Sequence, residues 1–335
     1  MSRIAVMGGG AWGTAIALSL ERRGGHAVSL WVHSPAVAAE IQASGENRAF
    51  LPGFLVPPRI AITSTVDDAL RDVEIVVSVM PSHHVRASYE LFAPHLKPDQ
   101  LVVSATKGIE DGTYLRMSQV IAEVLKGHGI DLRCGVLSGP SFAQEVASGS
   151  PTAVTIASND AELATQVQRE FSSGTLRLYT NDDVIGVELG GALKNVTALA
   201  AGIVAGLGLG HNSMAALITR GVAEVTRLAV ACGGRRETLA GLSGIGDLIL
   251  TCTGALSRNR WVGIELGKGR RLEEVLTDLH GKVAEGVRTT SAALGLARQH
   301  GVEMPIAAQV QAILDGKKHP LQAMQELMSR PGRDE

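Results

Sequence analysis

Apolar positions along this chain fall into two regimes. Up to about residue 180, short continuous apolar runs alternate with segments whose apolar residues recur every three or four positions. The runs are 3–7, 27–32, 60–63, 74–79, 101–105, 134–137, 152–157 and 176–179. Segments with helical spacing between them include 15–20, 67–70, 84–92, 115–125 and 161–171. Continuous runs read as strands buried on both faces. The alternation therefore predicts an α/β architecture, a mostly parallel sheet with helices on both sides. The stretch 50–58, with three prolines and a glycine, reads as a long surface loop.

Beyond about residue 183 the strand pattern stops. Helical spacing covers 184–207, 213–231, 248–251, 272–279, 290–300, 305–314 and 321–329. A chain of 335 residues suits about two domains. The change of pattern divides it into an α/β domain over 1–187 and an all-helical domain over 188–335.

Composition narrows the class. Hydrophobic residues make up 45% and aromatics only 3%, so the core must be built from Ala, Val, Leu and Ile packed closely with glycine. The formal net charge is −2 and Lys and Arg are scattered, which argues against a nucleic-acid binder. Cys134, Cys232 and Cys252 lie far apart, with neither metal-ligand spacing nor a disulfide framework, so no metal is expected and a reducing cytosol is the simplest setting. The first apolar run is too short for a signal peptide. The longest uncharged stretch, 195–219, is interrupted by His211, Asn212 and glycines. It reads as a buried helix, a loop and the next helix, not as a membrane span.

Candidate chemistry begins where the first run ends. Gly8, Gly10 and Gly13 fit G-x-G-x-x-G between a strand and a helix. In that setting the glycines allow a tight turn, close approach of a pyrophosphate, and close helix–strand packing. The helix start offers free N–H groups to phosphate. The pattern points to a bound dinucleotide. After the second run comes Trp31-Val32-His33-Ser34, with no carboxylate to repel a 2′-phosphate, so NADP(H) is expected beside NAD(H).

Several polar residues stand at the ends of runs or on helices. Within 184–207, Ile185, Leu189, Leu193, Val196, Leu199 and Ile203 form one stripe. Lys194 lies about 100° from it, among Gly190, Gly191, Thr197 and Ala198. It is either a solvated lysine or a proton-transfer group in a cleft. Lys107 follows a strand, where ligands of doubly wound sheets bind, unless it is an ordinary loop lysine. Ser138-Gly139-Pro140-Ser141 follows another strand and is either a polar ligand site or a plain serine cap. Asp247, after Gly244 and Gly246, is a helix cap or a ligand-facing carboxylate. Ser257-Arg258-Asn259-Arg260 is a solvated basic turn or a phosphate site. His211-Asn212-Ser213 reads as a connection with Asn212 or Ser213 as the cap.

Taken together, these segments resemble the bacterial NAD(P)-dependent sn-glycerol-3-phosphate dehydrogenase family along nearly the whole chain. The matching pieces are Gly8-Gly-Gly-Ala-Trp-Gly-Thr14, Thr106-Lys-Gly108, Ser138-Gly-Pro-Ser-Phe-Ala143, Gly191-Ala-Leu-Lys-Asn195, Gly244-Ile-Gly-Asp247, Ser257-Arg-Asn259 and Val283-Ala-Glu-Gly286. The resemblance implies a Rossmann-type domain followed by an all-α substrate domain. It implies reversible hydride transfer between NAD(P)H and dihydroxyacetone phosphate, giving sn-glycerol 3-phosphate for phospholipid synthesis. Lys194 would be the proton acceptor in oxidation. Lys107, Gly139, Ser141, Asp247, Ser257, Arg258 and Asn259 would contact substrate, with Lys107 and Arg258 also reaching the cofactor. Trp12, His33, Ala143, Val283 and Glu285 would line the cofactor site with Gly8, Gly10 and Gly13. The family often has an Arg beside position 33, where this chain has Ser34. The expected partner is the small-molecule substrate, in the cytoplasm, with no nucleic acid and no membrane span; a homodimer is left open. The competing readings are a two-domain β-hydroxyacid or ketoacid reductase and a non-catalytic dinucleotide-binding redox sensor.

Overall fold

The eight apolar runs of the first half form eight strands: β1 (Ser2–Met7), β2 (His26–Trp31), β3 (Ile60–Thr63), β4 (Ile75–Ser78), β5 (Leu101–Ser104), β6 (Arg133–Ser138), β7 (Thr152–Ala157) and β8 (Leu176–Asn181). They build one sheet in the order β3-β2-β1-β4-β5-β6-β7-β8. The structure is a computed structural model and describes residues 2–279 and 281–332. Helices of this half are α1 (Ala11–Arg23), α2 (Pro35–Ser44), α3 (Val66–Leu70), α4 (Val85–Phe92), α5 (Met117–Gly127), α6 (Ala143–Ser148) and α7 (Ala161–Phe171).

All pairings are parallel except β6 with β7. The exception has a length explanation. The only helix between those strands, α6, has six residues, and six residues of helix advance about 9 Å. A six-residue strand spans about 20 Å. Helix α6 is thus shorter than the strand it would have to cross, where a parallel crossover is usually built around a helix that spans it, and the chain comes back antiparallel.

Strand residues alternate between two cores. Ile4, Val6, Val77 and Val103 face α1 and α7 through Ile16, Leu163 and Phe171. Ala5, Met7, Val76 and Val102 face α4 and α5 through Tyr89, Phe92 and Val120. The stretch 50–58 is not merely surface, because Leu51 and Val56 are buried in the first of these cores. Two arginines in the last turn of α1 serve as caps elsewhere. Arg22 donates to Val146 O at 3.2 Å and also to Ala147 O, near the end of α6. Arg23 donates to Arg169 O and Ser172 O at the end of α7. These carbonyls lie in the last turns of their helices or just beyond, where the regular ladder ends.

The second half is helical: α8 (Val184–Gly206), α9 (His211–Ala231), α10 (Arg236–Leu239), α11 (Asp247–Thr253), α12 (Arg258–Gly267), α13 (Leu272–Thr277), α14 (Glu285–Gln299), α15 (Pro305–Leu314) and α16 (Pro320–Met328). A π-helical turn, Leu242–Gly246, runs directly into α11. The chain clusters into two units, Met1–Lys107 with Leu115–Glu188, and Gly108–Tyr114 with Leu189–Glu335. The segment Gly108–Tyr114 thus joins the helical unit, though in sequence it lies well inside the α/β half.

Helix α8 is long and apolar enough to cross a membrane by composition, yet 89% of its most apolar window is buried in the protein. It is a core helix, and glycines set how closely its neighbours approach. A Cβ on Gly202 would stand 2.1 Å from Arg260 O, and one on Gly263 would stand 2.1 Å from Leu199 O. Gly206 and Gly267 repeat the arrangement one turn on. Backbone therefore meets backbone between α8 and α12. The residues after Ser257 are consequently a helix and not the basic turn that their charges suggested. His211 already lies in α9, whose N-cap is Gly210 without a side-chain cap, so neither Asn212 nor Ser213 has the capping role expected of it.

Alanine normally outperforms glycine inside a helix by about 1 kcal/mol. Gly202→Ala should nevertheless lose stability, by about 1–3 kcal/mol, because the methyl has no space to enter. Gly174→Ala, where a Cβ meets nothing within 4 Å, should be neutral. Chemical denaturation of the two variants checks the contrast.

Candidate functional site

In the first unit, β1 lies between β2 and β4, so the strand order reverses beside it, the place where doubly wound sheets bind ligands. The glycine turn sits there. Gly8 has φ +138°, and a Cβ on it would fall 1.9 Å from Val79 O at the end of β4. A Cβ on Gly13 would fall 1.9 Å from Gly8 O, so α1 can press on the turn only without a side chain. Gly10 differs: nothing lies within 4 Å of a Cβ built on it. Its side of the turn is open. Helix α1 begins at Ala11 with no side-chain cap, leaving its first N–H groups for a ligand.

Trp12 packs on the core with its body, while its indole Nε1 is buried and has no hydrogen-bond partner among the described residues. An uncapped helix start, an open glycine and an orphaned buried donor together fit a bound dinucleotide. At the end of β2, Ser34 accepts from Val37 N at 3.4 Å and caps α2. His33 is exposed and lies edge-on to the Trp31 ring at 5.6 Å.

At the ends of β5 and β6 the structure brings three predicted residues together. Lys107 Nζ donates to Gly139 O at 3.0 Å, and Ser141 Oγ donates to the same carbonyl at 3.0 Å. Gly139 has φ +138°, and a Cβ there would stand 2.9 Å from Val154 Cα, so only glycine fits. The simple serine-cap reading fails here. Helix α6 starts at Ala143, its N-cap is Phe142, and it has no side-chain cap. Thr106, beside Lys107, ties the ends of β4 and β5: Met80 N donates to its Oγ1 at 3.2 Å, and that hydroxyl donates to Met80 O at 3.0 Å.

In the second unit, Lys194 is buried, 7% exposed, which removes the solvated reading. Its Nζ lies 2.9 Å from Asp247 Oδ1, and Asp247 is 1% exposed. Nζ also donates to Thr251 Oγ1 at 2.7 Å, and that hydroxyl donates to Asp247 O at 2.6 Å. Asp247 is therefore not a cap; the N-cap of α11 is Gly246, and the carboxylate turns to the lysine. Nor does Gly244 clear a path for a ligand. A Cβ there would fall 2.0 Å from Leu239 O, so that glycine permits the π-helical turn that delivers Asp247. Thr251 was missed, since a threonine one turn beyond an aspartate has no mark in the sequence. Cys252 lies close enough to feel both charges, yet burial pushes its thiol up to about 12 and leaves it inert at neutral pH.

Ser257 is the N-cap of α12, accepting from Arg260 N at 3.2 Å. Asn259 is tied at both ends of its amide. Nδ2 donates to Asn195 Oδ1 at 2.9 Å, and Oδ1 accepts from Gly286 N at 2.9 Å. Around Arg258, the first residue of α12, desolvation pulls the guanidinium below its usual range and the nearby Glu285 opposes this; Val283 and Glu285 are half-buried at the start of α14.

The first unit carries a dinucleotide-type glycine turn and the second a buried lysine–carboxylate pair, features that suit a nicotinamide-dependent oxidoreductase. Comparison with known proteins places it more finely. Residues 3–164 match the N-terminal domain, and residues 183–325 the C-terminal domain, described as NAD-dependent glycerol-3-phosphate dehydrogenase. A glycerol-3-phosphate dehydrogenase (NAD(P)+) of Acidobacterium capsulatum is 70% identical over 338 residues, covering 100% of both chains. One of Koribacter versatilis is 60% identical over 335 residues, covering 100% of this chain and 99% of the other. The crystal structure of glycerol-3-phosphate dehydrogenase from Coxiella burnetii matches with a TM-score of 0.93 at 40% identity, covering 98% of this chain and 99% of that one. The chain belongs to the NAD-dependent glycerol-3-phosphate dehydrogenase family.

The end of β2 yields a cofactor test. Aspartate caps helices as well as serine does, so Ser34→Asp should keep α2 intact. Its charge should weaken NADPH binding and spare NADH. Calorimetric titration of both dinucleotides checks this; equal loss for both would refute the reading of the strand end.

Proposed function

We propose that this chain catalyses the reversible reduction of dihydroxyacetone phosphate to sn-glycerol 3-phosphate with NADPH or NADH, and that Lys194 is its acid–base residue. The observation that carries this reading is the buried triad of Lys194, Asp247 and Thr251. An ammonium this deep is held by a carboxylate at 2.9 Å and a hydroxyl at 2.7 Å, so its direction is fixed. When bound, the nicotinamide supplies or accepts the hydride at the substrate's C2 carbon. Gly8, Gly10, Gly13, Trp12, His33, Ala143, Val283 and Glu285 are the proposed dinucleotide contacts.

In reduction, Lys194 Nζ gives a proton to the C2 oxygen, and its charge stabilises the developing alkoxide. In oxidation it takes that proton back from the hydroxyl. Asp247 offsets the cost of burying the ammonium and keeps it aimed. Arg258 is assigned to the substrate phosphate, where a guanidinium makes two parallel bonds. Ser257 supports it: a hydroxyl accepts and donates at once, so capping α12 leaves its proton for an anion. Asn259 brings only its second amide hydrogen, since its other bonds hold Asn195 and Gly286. Lys107, Gly139 and Ser141 are further proposed substrate contacts, and Lys107 and Arg258 proposed cofactor contacts as well. The reading includes a cytoplasmic location, which three cysteines in 335 residues suit. Sedimentation equilibrium decides between a monomer and a homodimer of twice the mass of the chain.

Positioned proton transfer contributes typically 10²–10⁴-fold, so Lys194→Ala should cut kcat by about that factor. Removing the ammonium that faces buried Asp247 costs about 3–5 kcal/mol, so melting is measured alongside. The double variant Lys194→Ala/Asp247→Asn should recover stability and stay inactive. Lys194→Arg should not restore turnover, because arginine does not release its proton. Full kcat in folded Lys194→Ala would remove the lysine from the mechanism.

Arg258→Ala tests the phosphate assignment separately. Losing a charge-assisted bond costs about 1.5–3 kcal/mol, read as a raised KM for dihydroxyacetone phosphate. Steady-state kinetics with unchanged KM for both ligands would return Arg258 to the solvent.

A further inference from the structure

Asn47 lies just beyond α2, in a stretch to which the sequence assigns no chemistry. Its side chain is fully buried, with 0% exposure. Nδ2 donates to Gly9 O at 2.9 Å and to Thr14 Oγ1 at 2.8 Å. Oδ1 accepts from Phe50 N at 3.3 Å. Leu51 N donates to Asn47 O at 2.8 Å, closing a turn that the buried Leu51 anchors in the core. Both amide hydrogens of this residue are therefore spent on the glycine turn and the first turn of α1.

We infer that Asn47 is a positioning residue for dinucleotide binding: it holds the Gly9 carbonyl inward and so aims the Gly10 N–H at the pyrophosphate. In a trans peptide the C=O and the following N–H point in opposite directions. Drawing Gly9 O toward Asn47 turns the Gly10 N–H to the opposite side of the same peptide. That residue is the one beside which a Cβ meets nothing within 4 Å. No backbone acceptor among the described residues meets the N–H groups of Gly10, Ala11 or Trp12. The bond to Thr14 adds a second constraint, fixing the start of α1 against the same amide. The turn is thus oriented before any ligand arrives, and the ligand does not bear the cost of ordering it.

The inference rests on the glycine turn being the dinucleotide site, and the test separates the two. ADP-ribose, which carries the pyrophosphate without nicotinamide, is titrated by calorimetry into the unmodified protein and into Asn47→Asp. Aspartate keeps the shape, still accepts from Phe50 N, and accepts from the Thr14 hydroxyl. Its contact with Gly9 O becomes repulsive, and since the carboxylate also adds a charge that repels the pyrophosphate, the neutral Asn47→Ser is measured beside it and must show the same common rise. The Kd values for ADP-ribose, NADH and NADPH should rise by one common factor, roughly 5- to 100-fold, the size expected for one lost buried bond. KM for dihydroxyacetone phosphate and kcat at saturating dinucleotide should hold. Unchanged Kd with only a lower melting temperature would reduce Asn47 to a structural role and overturn the inference. So would a loss confined to NADPH, which would point to the 2′-phosphate. Asn47→Ser, too short to reach either partner, serves alone if the aspartate variant does not fold. In the unmodified protein, the Gly10 amide resonance should shift when ADP-ribose is added, and a silent Gly10 would overturn the assignment. Failure of the unmodified protein to bind ADP-ribose would instead fail the dinucleotide reading itself.

Discussion

An ammonium and a carboxylate buried together make demands on everything around them. Taking one charge out of water costs several kcal/mol, and a pair recovers this only with good geometry and satisfied remaining bonds. Lys194 and Asp247 meet the first condition at 2.9 Å, and Thr251 serves the second by accepting from the lysine while donating to Asp247 O. The surrounding helices show how this is built. Gly190 lets α8 approach Ser243, where a Cβ would fall 2.6 Å from the serine carbonyl. The π-helical turn Leu242–Gly246 then shifts the register so that Asp247 faces the lysine and not its own helix start. π-turns of this kind are found often at functional sites. The glycine contacts between α8 and α12 carry the same economy further, setting the helix that bears Arg258 against the helix that bears Lys194.

The α/β unit follows a parallel logic with backbone in place of charge. Its glycine turn is specified from three sides: Val79 O bounds Gly8, Gly8 O bounds Gly13, and Asn47 holds Gly9 O. Each constraint excludes side chains from the protein side and leaves Gly10 facing open space. Both units thus spend their small residues on fixing direction. Binding groups fixed in advance lose less entropy when the ligand orders them.

Much of this was legible in the sequence, and the omissions have physical causes. The central strands could be read because they are buried on both faces and show as unbroken apolar runs, whereas the edge strand β8 shows through alternation, with Leu176 and Leu178 buried and Arg177 and Tyr179 exposed. The antiparallel return of β7 could not be read, because it depends on the shortness of α6. Helix α2 has a serine cap, a proline at its start and Gly45 in the left-handed region after its end. It was overlooked because only Ala38 and Ile41 are buried, too few to make a stripe. Helix α12 was hidden by Gly263 and Gly267, which break a helical pattern in sequence yet are what lets this helix pack. Among site residues, Lys194, Asp247, Lys107 and Ser141 were visible as polar groups at strand ends or in glycine-rich settings. What each one touches was not visible: Asp247 and Ser141 were read as potential caps and form other bonds. Asn47 and Thr251 gave no signal at all, because their importance lies in partners 33 to 57 residues away.

The central claim is that these two sets of prearranged groups serve one hydride transfer on a phosphorylated three-carbon ketone. The most direct measurement is the rate of dinucleotide oxidation by the unmodified enzyme, followed by absorbance, with dihydroxyacetone phosphate, a 2-ketoacid and no acceptor run in parallel. The account predicts turnover with the phosphorylated ketone and with either dinucleotide. Turnover confined to the ketoacid, or dinucleotide binding without turnover on any acceptor, would contradict it.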